Sequence, residues 1–134
     1  VDEMLRWVTP TTTFMKTAAQ DYQLRGKTIR KGDAVLTAFA SGNRDADVFE
    51  NPNSFQVDRK PNPQLAMGHG AHVCLGQHLA KMELRSFFRE LVGRLDSIEL
   101  AGEAKMMPGV TSNQLYTLPI RYRLRATEKV AEPA

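Results

Sequence analysis

From Leu75 onward, apolar residues return at helical intervals: Leu75, Leu79, Met82, Phe87, Leu91 and Leu95 form one stripe, and Phe88 and Val92 widen it. A stripe of this period predicts a long amphipathic helix whose apolar face is core. The opening stretch, with Met4, Leu5 and Val8 apolar, also reads as helix. Pro10 ends it, because the residue before a proline is pushed out of the α region. No capping residue precedes this helix, so it reads as one entered halfway, and the chain as the C-terminal part of a longer protein.

The middle of the chain has a different rhythm. Asp21-Tyr22-Gln23-Leu24 alternates weakly, Arg25-Gly26-Lys27 is a turn, and Ile29 leads to a second turn, Arg30-Lys31-Gly32-Asp33. Ala34 to Phe39 has the length and content of a buried strand, so a small sheet is predicted here. Ser41 to Asp47 offers capping residues for a short helix, and an irregular stretch rich in Asn and Pro runs from Asn51 to Pro63. Near the end, Ser97 to Leu100 and Leu118 to Leu124 read as strands, the second with Pro119 at an edge position, and Met107 to Thr117 reads as loop and hairpin. Residues 126–134 are polar and without period, which predicts a flexible tail.

Composition changes this picture little. The 18 basic and 15 acidic residues give a net charge of +3, too mild to argue for nucleic acid. No apolar run approaches a membrane span and no signal-peptide pattern opens the chain, so it reads as a soluble protein with no membrane partner. One cysteine forms no intrachain disulfide and fits a reducing cytoplasm.

That cysteine carries the chemistry. Cys74 ends a glycine-rich loop, Met67-Gly68-His69-Gly70-Ala71-His72-Val73-Cys74-Leu75-Gly76, that runs into the long helix. A sulfur at a helix N-terminus feels the positive end of the macrodipole and unpaired N–H groups, both of which favour thiolate. A thiolate ligand pushes electron density onto heme iron, which favours O–O cleavage. Gly68, Gly70 and Gly76 are read as letting the backbone take positive φ or approach a flat macrocycle. Two other readings compete. A lone cysteine is often a small buried hydrophobe, and His69, His72, Cys74 and His78 cluster within ten residues, with Cys74 and His78 one helical turn apart, in a set of donors that zinc accepts.

The pattern G-x-G-x-H-x-C-x-G closely resembles the cysteine-ligand loop of the cytochrome P450 family of heme-thiolate monooxygenases. Two further signatures fit. Glu3 and Arg6 form E-x-x-R, which as an exposed pair on one helix face would contribute only about 0.3 kcal/mol; Phe55-Gln56-Val57-Asp58-Arg59 matches the family's F-x-x-x-R meander. The resemblance implies that Glu3, Arg6 and Arg59 form a buried charge network holding the cysteine loop against the core. It implies a mainly α fold with small β-sheets, of which this chain is the C-terminal portion: the end of the E-x-x-R helix, sheet segments, meander, ligand loop, long helix and C-terminal β-hairpin. Residues 1–125 would be the C-terminal heme-thiolate portion of a single larger domain.

Carried over residue by residue, the resemblance makes Cys74 the axial ligand of heme b iron and His72 a donor to a heme propionate. Lys16 falls where many members have a propionate-binding arginine; lysine supplies the charge without the bidentate fork. Met67 stands where phenylalanine usually packs beside the sulfur, and Gly68, Gly70 and Gly76 complete the cofactor-binding loop. Substrate contacts fall to Thr11, Thr12, Thr13 and Phe14 after the first helix, and to Val110 and Thr111 in the later turn. Lys81, Arg85 and Arg89 form a cationic row on the long helix, unfavourable in isolation. The resemblance makes it a docking face for an iron-sulfur ferredoxin or a similar electron donor.

Cys74 to Lys81 looks most like soluble bacterial members that hydroxylate terpenes. The implied activity of the full-length protein is O2 activation and hydroxylation of a small hydrophobic substrate. The family's proton-relay residues precede Glu3, so the fragment alone is expected to be inactive. A non-catalytic heme-binding or sensing module, and a zinc- or partner-binding domain, remain the alternatives.

Overall fold

A computed structural model describes residues 1–126. The predicted tail of residues 126–134 lies, apart from Ala126, outside the described residues. The elements in chain order are α1 (Asp2–Val8), β1 (Thr13–Thr17), β2 (Tyr22–Leu24), β3 (Lys27–Ile29), β4 (Ala34–Ala38), α2 (Phe39–Gly42), α3 (Gln77–Arg94), β5 (Leu95–Leu100), β6 (Lys105–Met106), β7 (Leu115–Thr117) and β8 (Ile120–Leu124). A 3₁₀ turn, Gly70–His72, precedes α3.

Strand residues slightly outnumber helical ones, which corrects the expectation of a mainly α chain. Only α3 is long, and the short strands form four two-stranded antiparallel sheets, β1–β4, β2–β3, β5–β8 and β6–β7. The first two are nested: Thr13 pairs with Ala38 and Thr17 with Ala34, while the β2–β3 hairpin projects from between them around Arg25-Gly26. The last two are nested likewise, with β6 and β7 between β5 and β8.

α1 stops at Val8, and Thr9, the residue before Pro10, leaves the α region as expected. Thr9 has φ 44°, a left-handed conformation that is costly for a β-branched residue. Its N–H donates to Leu5 O at 2.8 Å and its hydroxyl to Arg6 O at 2.7 Å, so the helix's last carbonyls are satisfied. α2 begins at Phe39, earlier than the capping residues at 41–47 suggest, because Phe39 is pulled into the core at the end of β4. The segment between α2 and the 3₁₀ turn is held by turns and side-chain bonds instead of ladders.

The buried apolar set among the described residues is small: Leu5, Phe39, Phe49 and Ala66. Beside it lie Glu3, Arg6, Thr9 and Asn43, equally buried. Two expectations about burial fail. Ala34–Ala38 is not a buried strand, its residues alternating between exposed and half-buried. The apolar stripe of α3 is not core either: no residue of α3 is buried, and Leu79, Met82 and Phe87 are each more than half exposed. The periodicity marks a face made to be covered, but no described element lies across it. Only its C-terminal part is flanked, where Phe87, Leu91, Tyr122 and Leu124 line a shallow groove.

Phe49 sits at the centre of the small core, with Arg6 Cζ 5.2 Å and Arg59 Cζ 5.9 Å from its ring centroid. Phe49→Ala is expected to destabilise the fold by about 3 to 5 kcal/mol through the cavity and the lost cation–π contacts. Thermal unfolding of the variant beside the parent checks this; a change below about 1 kcal/mol contradicts it.

Candidate functional site

The best-formed cleft has a volume of about 730 Å³, within the range typical of ligand pockets. It is lined by Phe39 and Ala66, by Met67, Gly68, His69, His72 and Cys74 of the glycine-rich loop, and by Thr11, Phe14, Met15, Lys16 and Thr17 in and just before β1. β1 and the glycine-rich loop thus both contribute to the cleft, with Cys74, Lys16 and His72 all on its surface.

The loop is shaped by two glycines. Gly68 has φ 77° and a Cβ there would stand 3.3 Å from His72 O, so both conformation and space exclude a side chain. Gly70 has φ 73°. Gly76 does not belong with them: it caps α3 with φ −83° and has open space around it, so nothing in its backbone requires glycine. The loop closes on itself through Cys74 N–H to Met67 O at 2.8 Å and Val73 N–H to Gly70 O at 3.0 Å. Cys74 lies two residues ahead of the α3 cap, and its carbonyl accepts the Gln77 N–H at 3.2 Å. It is exposed, which removes the buried-hydrophobe reading. Cys74 is outside the helix that carries His78, so the two are not one helical turn apart. Among the described residues no group of three or more His, Cys, Asp or Glu side chains comes together to hold a metal ion, so the zinc reading finds no site there.

Behind the loop stands the charge network. Arg6 grips Glu3 with two parallel bonds, Nε to Oε2 and Nη2 to Oε1, both 2.7 Å. Its remaining donors reach the carbonyls of Asn43, Pro52 and Ser54. Arg59 donates from Nε to Glu3 Oε2 at 3.0 Å and from its other nitrogens to Glu50, Asn51 and Ser54 carbonyls. The Gln56 N–H and the Asn62 carboxamide complete the shell around Glu3. Glu3, Arg6 and Arg59 therefore do assemble. They clamp residues 50–62 directly, though, and among the described residues their hydrogen-bonded link toward the cysteine loop runs through Asn43, whose side chain accepts the Leu65 N–H at 2.6 Å. The partners Asn43, Thr9 and Asn62 were missed in the sequence, where short polar residues near turns read as caps.

The two segments assigned to substrate meet as well. Thr12 N–H donates to Thr111 O at 3.0 Å, and the hydroxyls of Thr12 and Thr13 both donate to Val110 O, at 2.8 and 2.9 Å. Thr11 and Phe14 line the cleft. The cationic row is less free than expected: Asp2 pairs with Lys81 at 2.8 Å and with Arg85 at 3.4 Å, leaving Arg89 without an ion pair among the described residues. The Asp2 carboxyl is lowered, chiefly by the Lys81 hydrogen bond.

A family model described as Cytochrome P450 matches residues 1–125. The chain belongs to the cytochrome P450 family. It is 44% identical over 122 residues to Cytochrome P450-terp of Pseudomonas sp, covering 91% of this chain and 28% of that protein. It is 36% identical over 123 residues to the Steroid C26-monooxygenase of Rhodococcus jostii (strain RHA1), covering 91% and 26%. The crystal structure of P450BioI in complex with hexadec-9Z-enoic acid ligated acyl carrier protein superposes with a TM-score of 0.87 at 38% identity, covering 91% of this chain and 32% of that one. The chain thus spans about a third or less of the length of these relatives. P450 proteins bind heme b, iron protoporphyrin IX, and use O2, an organic substrate and an electron donor. No described helix is long and apolar enough to cross a membrane.

The Glu3 carboxyl is pulled from its ordinary 4.5 to about 2, first by the Arg6 hydrogen bonds, against burial that pushes it up, and further by the Gln56 N–H and Arg59. The folded value lies below the unfolded one, so protonation favours unfolding. The stabilisation, about 3 kcal/mol, is complete above about pH 4.5 and is lost as pH falls toward about 2. Thermal unfolding of the parent is expected to weaken across that window, and Glu3→Gln to start less stable and vary less there. Parallel curves for the two proteins contradict the assignment.

Proposed function

We propose that the protein carrying this segment is a heme-thiolate monooxygenase in which Cys74 ligates the iron of heme b. Residues 1–125 are then the C-terminal heme-thiolate portion of one larger domain. The observation that carries the reading is Cys74 itself, exposed on a cleft of about 730 Å³ at the end of the family's signature loop. The donor set fits the cofactor. Cys74 offers a soft sulfur ligand, Phe14, Met15, Phe39 and Met67 offer apolar surface to a macrocycle, and Lys16 and His72 offer donors for its two carboxylates. Gly68 leaves room where a side chain would crowd the loop.

Heme iron held by a thiolate supplies O2 activation when bound. The chain's own residues do the rest. Cys74 would hold the iron, and its N–H is tied back to Met67 O, which limits the movement of the residue. Lys16 and His72 would bind the carboxylates, and Met67 would offer a polarizable apolar contact near the sulfur. Thr11, Thr12, Thr13 and Phe14, with Val110 and Thr111, contribute a wall to the substrate pocket. Three hydrogen bonds between the two segments fix the shape of that wall.

The substrate is a small hydrophobic molecule, and a terpenoid is the best-supported class, given the name of the 44%-identical relative. Electrons arrive from an iron-sulfur ferredoxin or a similar donor docking near Arg85 and Arg89, both exposed on α3. The cytoplasm is the compartment that fits a lone exposed cysteine.

Two measurements test this. The full-length protein, reduced and exposed to carbon monoxide, is expected to show the strongly red-shifted Soret band of thiolate ligation, which Cys74→Ser abolishes; the same band in the Ser variant refutes the ligand assignment. Replacing Arg85 and Arg89 by glutamine is expected to slow reduction by the donor about tenfold at low salt and little at high salt. Equal rates at low salt rule out docking on this face.

A further inference from the structure

Asn43 is one of the three most completely buried side chains among the described residues, at 0% exposure. A carboxamide is withdrawn from water only where its donors and acceptors are met. Its Nδ2 donates to Thr9 Oγ1 at 2.9 Å and its Oδ1 accepts the Leu65 N–H at 2.6 Å. Its backbone carbonyl accepts Arg6 Nη1 at 2.7 Å.

The orientation of the amide is forced. The Leu65 N–H can only donate, and the Thr9 hydroxyl proton is committed to Arg6 O at 2.7 Å, so oxygen faces Leu65 and nitrogen faces Thr9. The Leu65 residue is then held at both ends, its N–H by Asn43 and its carbonyl by the Gly68 N–H at 2.8 Å. One residue before Gly68, Met67 O receives the Cys74 N–H. A separate observation marks the same junction: a Cβ on Gly42 would stand 2.9 Å from Leu65 Cδ1, so the end of α2 lies close beside the segment entering the loop.

We propose that Asn43 is a positioning residue for the cysteine loop. It carries the charge-anchored position of α1 across to Leu65, and through Leu65 and Gly68 it sets where Cys74 stands in the cleft. What Cys74 holds rests on the function proposed above; the anchoring does not.

The test combines amide hydrogen exchange with the ferrous carbon monoxide spectrum, in the heme-loaded protein at its full encoded length. Asn43→Ala is expected to speed exchange at Leu65, Gly68 and Cys74 by about ten- to hundredfold, while the β5–β8 ladder changes far less. The fraction of the protein keeping the thiolate Soret band is expected to fall. Asn43→Asp retains an acceptor for Leu65 but sets a buried second oxygen against Thr9 Oγ1, so it is expected to protect the Leu65 amide better than Asn43→Ala does while losing stability overall. Unchanged exchange at the three amides in Asn43→Ala, or acceleration equal to that of the β5–β8 ladder, overturns the proposal. The unmodified protein gives an arm that needs no variant to fold: a Leu65 amide that exchanges as freely as an exposed loop overturns the proposal as well. A slowed Leu65 amide in a protein with no thiolate band supports the anchoring and removes the heme reading instead.

Discussion

Arg6 has no exposure to solvent, and each of the five N–H groups of its guanidinium has an acceptor to meet. Two of those bonds end on Glu3 and three on backbone carbonyls far along the chain. A buried ion pair of this kind is weak evidence of net stabilisation, since taking both charges out of water costs about as much as their attraction returns. Its value here is geometric. A planar fork admits few arrangements of its acceptors, so one helix of seven residues dictates the path of the irregular segment from Asn43 to Asn62. Removing one partner leaves the other charge stranded, a loss of roughly 3 to 5 kcal/mol.

That constraint explains how a segment without helix or strand can be positioned at all. Residues 50–62 have no ladder to hold them, and their carbonyls are gathered by Arg6 and Arg59 in its place. Phe49 lies against both guanidinium groups and supplies the apolar surface that keeps water from them. From this platform the cysteine loop is reached through a single carboxamide, and the loop then closes on itself. Support of this kind behind an exposed loop is what the ligand role proposed for Cys74 would need. Beside the same cleft, Thr12 and Thr13 donate hydrogen bonds to Val110 and Thr111 and tie the start of β1 to the later turn.

The apolar surface left open is equally informative. α3 carries a stripe with the period of a core helix, yet none of it is buried, and β4 alternates without being covered. In relatives three times longer, the remaining length is available to cover such faces. The described chain therefore builds its own small polar core around Arg6 and offers apolar faces beyond it.

How much of this was legible in the residues differs by element. The length and period of α3, the stop after α1, the turn at Arg25-Gly26 and the terminal strands follow from local rules, because side-chain spacing and proline act within a few residues. The motif around Cys74 was legible too, since three glycines, a histidine and a cysteine at fixed spacing need no partner from elsewhere to be recognised, and Glu3, Arg6 and Arg59 could be named from motif. Their partners could not. Asn43, Thr9 and Asn62 look like turn residues, and only the fold brings Asn43 to Leu65, 22 positions away. Nor could local pattern show that Asp2 withdraws Lys81 and Arg85 into ion pairs, that Gly76 is an ordinary cap, or that the stripe of α3 stays open. Periodicity records what a face is suited to meet; whether anything meets it, and which distant carbonyl answers a buried donor, depends on the path of the whole chain through space.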